Sequence, residues 1–268
     1  MGVRKGNEEN EVGNVERFRA GRLNVSIFET RRAMGVAAAA AVADELRRHI
    51  RERGVATAIF ASAPSQNEFL EALVAAPDLD WSRVVAFHLD EYLGMGDGAP
   101  QSFRRFLLDR LVERTGLRAF HGLRGEAADA EAECARYADL LESQPLDFAV
   151  LGVGENGHLA FIDPPFCDFD DPAAVKVVEL DEACRLQQVH DGAFDALDDV
   201  PRRALSLTIP TVMARPKLFA IVPGPAKQAA VNAAVEGPIA TTCPASILRR
   251  HPDAHLFLDR DSAAMLSR

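Results

Sequence analysis

Lysine is scarce in this chain of 268 residues: Lys5, Lys176, Lys217 and Lys227 are the only four among 30 basic side chains, the rest being arginine. Positive charge as a whole is in deficit, since 40 Asp and Glu residues leave a formal net charge of -10. So acidic a chain lacks the field that captures nucleic-acid phosphates or an anionic membrane, and neither partner is expected. A small anion is not excluded, because it senses one pocket rather than the total charge. Cysteine is equally sparse. Cys134, Cys167, Cys184 and Cys243 form no C-x-x-C pair, so neither a zinc ribbon nor a disulfide framework is expected. No metal or other cofactor is indicated. The first twenty residues hold no apolar signal region. The longest apolar stretch, Ala33 to Ala43, is about half of what crosses a bilayer. A reducing cytoplasmic location is the default expectation. Linkers rich in Gly, Ser or Pro are absent too, as are internal repeats, so nothing divides the chain into separate domains.

What is present is an ordinary globular mixture, 48% hydrophobic and 26% charged, which argues against wholesale disorder. Residues 1–19 read as a flexible lead-in, too short for a helix-turn-helix module, and residues 20–268 as one α/β domain. Short apolar runs predict strands at Leu23–Phe28, Thr57–Phe60, Val84–Leu89, Phe148–Val153, Val175–Leu180, Ala204–Thr208, Leu218–Val222 and His255–Leu258. Helical patterns fall between them: Thr30 to Gly54 with cap residues at both ends, Asn67–Ala75, Gln101–Arg114, Ala127–Glu142, Ala226–Val235, Pro244–Arg250 and Asp261–Leu266. This alternation predicts a single doubly wound, mostly parallel, Rossmann-like sheet with helices on both faces. Such folds bind ligands beyond the carboxyl ends of their strands. The informative loops are therefore those after Phe60, Leu89, Val153 and Val222.

Three segments carry chemistry-bearing residues. In Phe87-His88-Leu89-Asp90-Glu91-Tyr92, two adjacent carboxylates follow a buried strand, where an unpartnered charge is costly. One could abstract a proton while the other holds a neighbour in place; the alternative is a cap and a solvated side chain. In Gly152-Val153-Gly154-Glu155-Asn156-Gly157-His158, the glycines let backbone approach a ligand closely. The spacing imitates a dinucleotide fingerprint, but Pro164 and Pro165 forbid the long helix such a site requires. His158, with Asn156 and Asp163 nearby in sequence, has the makings of an oriented general acid/base. In Pro223-Gly224-Pro225-Ala226-Lys227, a scarce lysine falls in the first turn of a helix, where an ammonium and free N–H groups together suit a phosphate or carboxylate.

Taken together, these segments resemble the glucosamine-6-phosphate deaminase (isomerase) family, whose superfamily includes the 6-phosphogluconolactonases. The resemblance runs from about Leu23 to the C-terminus. It implies conversion of an amino-sugar phosphate to a ketose phosphate with release of ammonia. By this resemblance His158 opens the pyranose ring, oriented by Asn156 and Asp163, and Asp90 is the base at C2. Lys227 and Ser62 bind the phosphate, and Glu91, Gly154 and Gly157 complete the substrate site. The substrate would be a small sugar phosphate, no cofactor is implied, and a homo-oligomer is compatible with the sequence. The chain departs from the family pattern in several places. Asn156 stands where Asp is frequent, and Asp163 replaces a Glu. The loop Ala61-Ser62-Ala63-Pro64 has lost the usual threonines and glycines. Lys176 and Arg185 are candidate phosphate ligands, while His190 falls where an arginine is expected. Two alternatives stay open: a 6-phosphogluconolactonase-type hydrolase, and a non-catalytic sugar-phosphate binding protein.

Overall fold

A computed structural model describes residues 15–267 of the chain. The first strand, β1 (Glu16–Ala20), turns at Gly21 and runs antiparallel to β2 (Leu23–Phe28). The expected lead-in therefore ends earlier than Arg19: residues 16–19 form an edge strand, and residues 1–14 lie outside the described part. Helix α1 (Arg31–Arg53) starts where Thr30 accepts a hydrogen bond from the Ala33 N–H at 3.1 Å. It stops at Gly54, whose φ of 80° is the left-handed conformation that glycine adopts without steric cost. Both ends fall where the cap residues predict them.

The chain continues through β3 (Ala56–Phe60), α2 (Asn67–Val74), β4 (Val84–His88) and β5 (Asp90–Tyr92). Helix α3 (Phe103–Leu107) runs through a π turn at Leu108–Val112 into α4 (Glu113–Thr115). Then come β6 (Ala119–His121), α5 (Ala130–Glu142), β7 (Phe148–Leu151), β8 (Val175–Glu179), α6 (Glu182–His190) and β9 (Arg203–Leu207). The last elements are α7 (Ile209–Met213), β10 (Lys217–Val222), α8 (Gln228–Val235) and β11 (Ala254–Asp259).

Eight strands form the main sheet in the order β1-β2-β11-β10-β7-β3-β4-β6. Every pairing is parallel except β1 with β2. Alternate residues of each strand enter opposite cores, as the period of two requires. Phe60, Val150 and Ile221 pack under α1 and α2, while Ile59, Leu151 and Val222 pack on the other face with Tyr137 of α5 and Val231 of α8. Among the described residues no helix is long and apolar enough to cross a membrane.

The mostly parallel, doubly wound architecture is as expected, with one addition. Val175–Glu179 and Arg203–Leu207 do not join the main sheet but form a second, antiparallel one with β5, in the order β5-β9-β8. Strand β5 begins two residues after β4 ends, so the chain passes directly from one sheet into the other at Leu89. The segment 261–266 forms turns rather than the expected helix. Within the main sheet, β7 lies between β3 and β10, where the winding reverses direction. A crevice at such a reversal is the place where α/β folds bind ligands.

Candidate active site

A cavity of about 210 Å³ occupies that crevice, bounded by the loops that follow β3, β4, β7 and β10. Phe103 and Phe161, stacked with ring centroids 5.2 Å apart, contribute apolar wall. Five of the sequence-derived site residues line it: Ser62, Asp90, Gly154, His158 and Lys227. Four do not: Glu91, Asn156, Gly157 and Asp163.

Asp90 opens β5, where it pairs in register with Ser206 of β9. Only 5% of it is exposed. Burial, and after it the charge of Glu91, push its carboxyl well above the ordinary aspartate range. Such a group binds a proton more tightly than a solvated carboxylate does, as a base that must accept one from carbon requires. His88, two residues earlier, is fully buried and accepts a hydrogen bond from the Leu123 N–H at 3.4 Å. Burial and the Arg104 charge bring its imidazole down to about 3, so it stays neutral.

Glu91 was expected to touch substrate and does not line the cavity. Its side chain is wholly buried and accepts four hydrogen bonds. They come from the Ser102 hydroxyl at 2.7 Å and the N–H groups of Arg104 at 2.8 Å, Tyr92 at 2.9 Å and Phe103 at 3.1 Å. The carboxylate thus gathers the free N–H groups at the start of α3, and so fixes Phe103 in the cavity wall beside Asp90. A Glu91→Gln substitution puts amide donors against donors. It should cost about 2–3 kcal/mol of stability, read as a lower urea midpoint with unchanged slope.

His158 is held by a tight loop. The Gly154 N–H donates to the His158 carbonyl at 3.0 Å, and the Gly157 N–H donates to the Gly154 carbonyl at 3.0 Å. Gly154 lies flat against the imidazole: a Cβ there would come within 2.2–2.4 Å of three ring atoms. Gly157 is the turn residue rather than a ligand contact. It lies outside the cavity lining, has φ of 85°, and packs toward Cys243.

Asn156 and Asp163 also sit behind the lining, as support for the histidine. Asp163 Oδ1 lies 3.0 Å from His158 Nδ1, within ion-pair distance but without the alignment of a good hydrogen bond. Asn156 donates to the same oxygen at 2.9 Å and accepts from the His158 N–H at 3.1 Å. The Asp181 N–H donates to Asp163 Oδ2 at 2.9 Å. Burial alone would raise the Asp163 carboxyl, but His158, Asn156 and the Asp181 N–H outweigh it and hold it below the ordinary value. Asp163 is therefore a fixed anion behind the ring, as an orienting carboxylate must be. His158, Asp163 and Cys184 have donor atoms within 4.8 Å of one another, close enough for metal ligation. Burial raises the Cys184 thiol well above its ordinary value, however, and both Asp163 oxygens are already hydrogen-bonded.

Ser62, also in the lining, is 4% exposed and its hydroxyl has no hydrogen-bond partner among the described residues. Lys227 is 7% exposed and makes no ion pair among the described residues. Burial draws its ammonium below the ordinary lysine value, against the pull of Asp191 and Glu155. A buried hydroxyl and a buried, unpaired ammonium bordering one cavity form a pocket ready for an anion. Arg31, which the sequence reading passed over, adds a second cation to the lining. Its Nε is 2.8 Å from Glu68 and its Nη2 donates to the Pro64 carbonyl. Lys176 instead pairs with Asp171 at 2.5 Å, Arg185 donates to the Val200 carbonyl, and exposed His190 faces Glu155 at 3.4 Å. In their stead α6 and its C-terminal cap present Gln187, Gln188 and Asp191. Gln188 accepts from the Tyr92 hydroxyl at 2.7 Å, and Gln187 accepts from the Glu155 N–H at 2.8 Å.

Known proteins share both this sequence and this fold. Residues 29–257 match the family described as glucosamine-6-phosphate isomerases/6-phosphogluconolactonase. A glucosamine-6-phosphate deaminase of Listeria monocytogenes serovar 1/2a (strain ATCC BAA-679 / EGD-e) is 36% identical over 202 residues, 75% of this chain and 84% of that protein. The deaminase of Lactobacillus delbrueckii subsp. bulgaricus (strain ATCC BAA-365 / Lb-18) is 32% identical over 217 residues, 80% and 89% of the two chains. Among solved structures, a monomeric glucosamine-6-phosphate deaminase superposes with a TM-score of 0.82 at 28% identity, covering 90% of this chain and 99% of the other. A 6-phosphogluconolactonase from Shewanella baltica OS155, with a TM-score of 0.72 at 20% identity over 91% and 100% of the two chains, shares the fold. The chain belongs to the glucosamine-6-phosphate isomerase/6-phosphogluconolactonase family.

Proposed function

We propose that the protein converts glucosamine 6-phosphate and water to fructose 6-phosphate and ammonia. The observation that carries this reading is the pairing, in one cavity, of a buried carboxylate of raised basicity with a carboxylate-backed histidine. A passive binder needs no such proton-transfer pair. His158 moves a proton between O1 and the ring oxygen, and the pyranose opens to the aldehyde. The aldehyde acidifies the C2 hydrogen. Asp90 removes that proton and returns it to C1, so the enolamine becomes the ketose imine. Water adds at C2, the C–N bond breaks, and ammonia leaves. Lys227, Ser62 and Arg31 hold the phosphate through the sequence.

The test is direct. Purified protein is incubated with glucosamine 6-phosphate, and ammonia and fructose 6-phosphate are measured; 6-phosphogluconolactone is run in parallel for acid release. Equimolar ammonia and ketose phosphate support deamination. Turnover of the lactone alone would reassign the protein to the hydrolases of the family, and saturable binding without turnover would make it a sugar-phosphate binder. The close approach of Gly154 to the imidazole gives a further expectation. Gly154→Ala forces the ring aside, and a displacement of about 1 Å lowers kcat roughly 100-fold. The stability of that variant, followed by thermal melting, should change far less than its activity.

A further inference from the structure

A second cavity, of about 240 Å³, opens beside β6, the edge strand of the main sheet, and shares no lining residue with the first. Arg104 of α3, Arg124 from the loop after β6, and Arg136 of α5 converge on it, together with His121 and Asp97. Burial, and after it the Arg136 charge, hold the His121 imidazole below its ordinary value, so the positive charge rests on the guanidinium groups.

Their existing partners leave donors unused. Arg136 is engaged by Glu133 at 2.6 Å and by the Gly122 carbonyl at 3.2 Å. Arg104 turns Nη2 toward Glu126 at 2.8 Å and Asp97 at 3.6 Å, and Nη1 toward the Leu123 carbonyl at 3.3 Å. Among the described residues its Nε has no hydrogen-bond partner, in a residue only 8% exposed. Arg124 is exposed and has no ion pair among the described residues. The carboxylates of Glu126 and Asp97 are 48% and 57% exposed, so both can turn to water when a better anion arrives. The Arg104 stem is held in position by close contact with Gly122, where a Cβ would lie 2.7 Å from Arg104 Cδ.

We propose that this cavity is a second binding site, one for a compact anion bearing a phosphoryl or carboxylate group and held by the guanidinium groups of Arg124 and Arg104. Planar guanidinium forks match the oxygen spacing of both groups. The surrounding Asp97, Glu126 and Glu133 repel a long polyanion, which limits the ligand to a small molecule.

Equilibrium dialysis of the full chain with radiolabelled inorganic phosphate at low ionic strength tests this, since screening weakens an exposed arginine contact. Lys227→Ala, which disables the catalytic cavity as a phosphate site, is expected to retain one bound equivalent. Adding Arg124→Glu or Arg124→Gln to it should weaken that equivalent by about tenfold or more. Arg124→Gln should change the melting temperature little, as befits an exposed side chain, so its effect on binding is read without loss of the fold. Competition by glycerol 1-phosphate at lower concentration than malonate assigns a phosphoryl ligand, and the reverse order a carboxylate. Absence of bound phosphate in Lys227→Ala, or full binding after loss of Arg124, would overturn the proposal.

Discussion

Asp90→Asn should lower kcat for the proposed deamination by roughly 10²- to 10⁴-fold, the contribution of a positioned general base, while sugar-phosphate binding changes only a few-fold. The amide keeps the shape of the carboxyl and loses its ability to take the C2 proton. Steady-state kinetics and a separate binding measurement divide the two effects. Equal losses in kcat and in binding would mean that the residue holds the substrate rather than reacting with it. The pH profile carries the same information. Asp90 must be ionised to act, and burial with the neighbouring Glu91 charge raises its carboxyl above the ordinary range. The acid limb of kcat/KM should therefore lie at higher pH than an ordinary carboxylate gives, with activity falling as pH drops through it. Stability runs in the opposite sense. A carboxyl raised by folding makes the native state bind the extra proton, so the fold loses stability as pH rises above the unfolded value of 3.8. The neutral Asn variant escapes that penalty. It should match or exceed the wild type in urea midpoint near neutral pH, and the difference should shrink toward pH 3.8.

Lys227→Ala is expected to raise KM for the sugar phosphate by about 30- to 1000-fold, the consequence of losing roughly 2–4 kcal/mol from a buried charged contact. The phosphate is remote from the reacting carbons, so kcat should fall much less. No described acidic group lies within ion-pair distance of Lys227, so removing its ammonium strands no buried carboxylate, and the variant should fold. Arg31 cannot substitute fully, because its guanidinium is already engaged by Glu68 and the Pro64 carbonyl. A KM within threefold of wild type, as an order-of-magnitude criterion, would show that the phosphate sits elsewhere.

Much of this arrangement could be read from the chain before any coordinates. Helix α1 announces itself through Thr30 and Gly54, each of which satisfies backbone groups that a helix end leaves open. Strand β2 was delimited to the residue by its apolar run. Asp90, His158 and Lys227 stood out because each follows a buried strand, where the fold forms its crevice. For helix α6 and for Glu91 the cause is that their burial is polar. Helix α6 buries Arg185, Gln187 and Gln188, so it lacks the apolar period that marks a helix, although it supplies a wall of the cavity. The family resemblance places Glu91 at the substrate, but a buried carboxylate first needs partners of its own. It has four, all from its own chain, and three of them come from residues 102–104 at the start of α3. The second sheet was missed because strand patterning records which residues pair with something, and not which sheet they join.

The most direct test of the central claim, that a fixed carboxylate in this cavity carries a proton from C2 to C1, is to run the reaction in deuterium oxide and follow C1 of the fructose 6-phosphate by NMR. The account predicts that the new C1 hydrogen enters at one of the two positions only, as the hydrogen carried from C2 or, where the Asp90 proton exchanges with solvent first, as deuterium, with one ammonia released per ketose formed and no labelled product from Asp90→Asn over the same interval. Label spread equally over both C1 positions, or labelled product from Asp90→Asn at the wild-type rate, would contradict it.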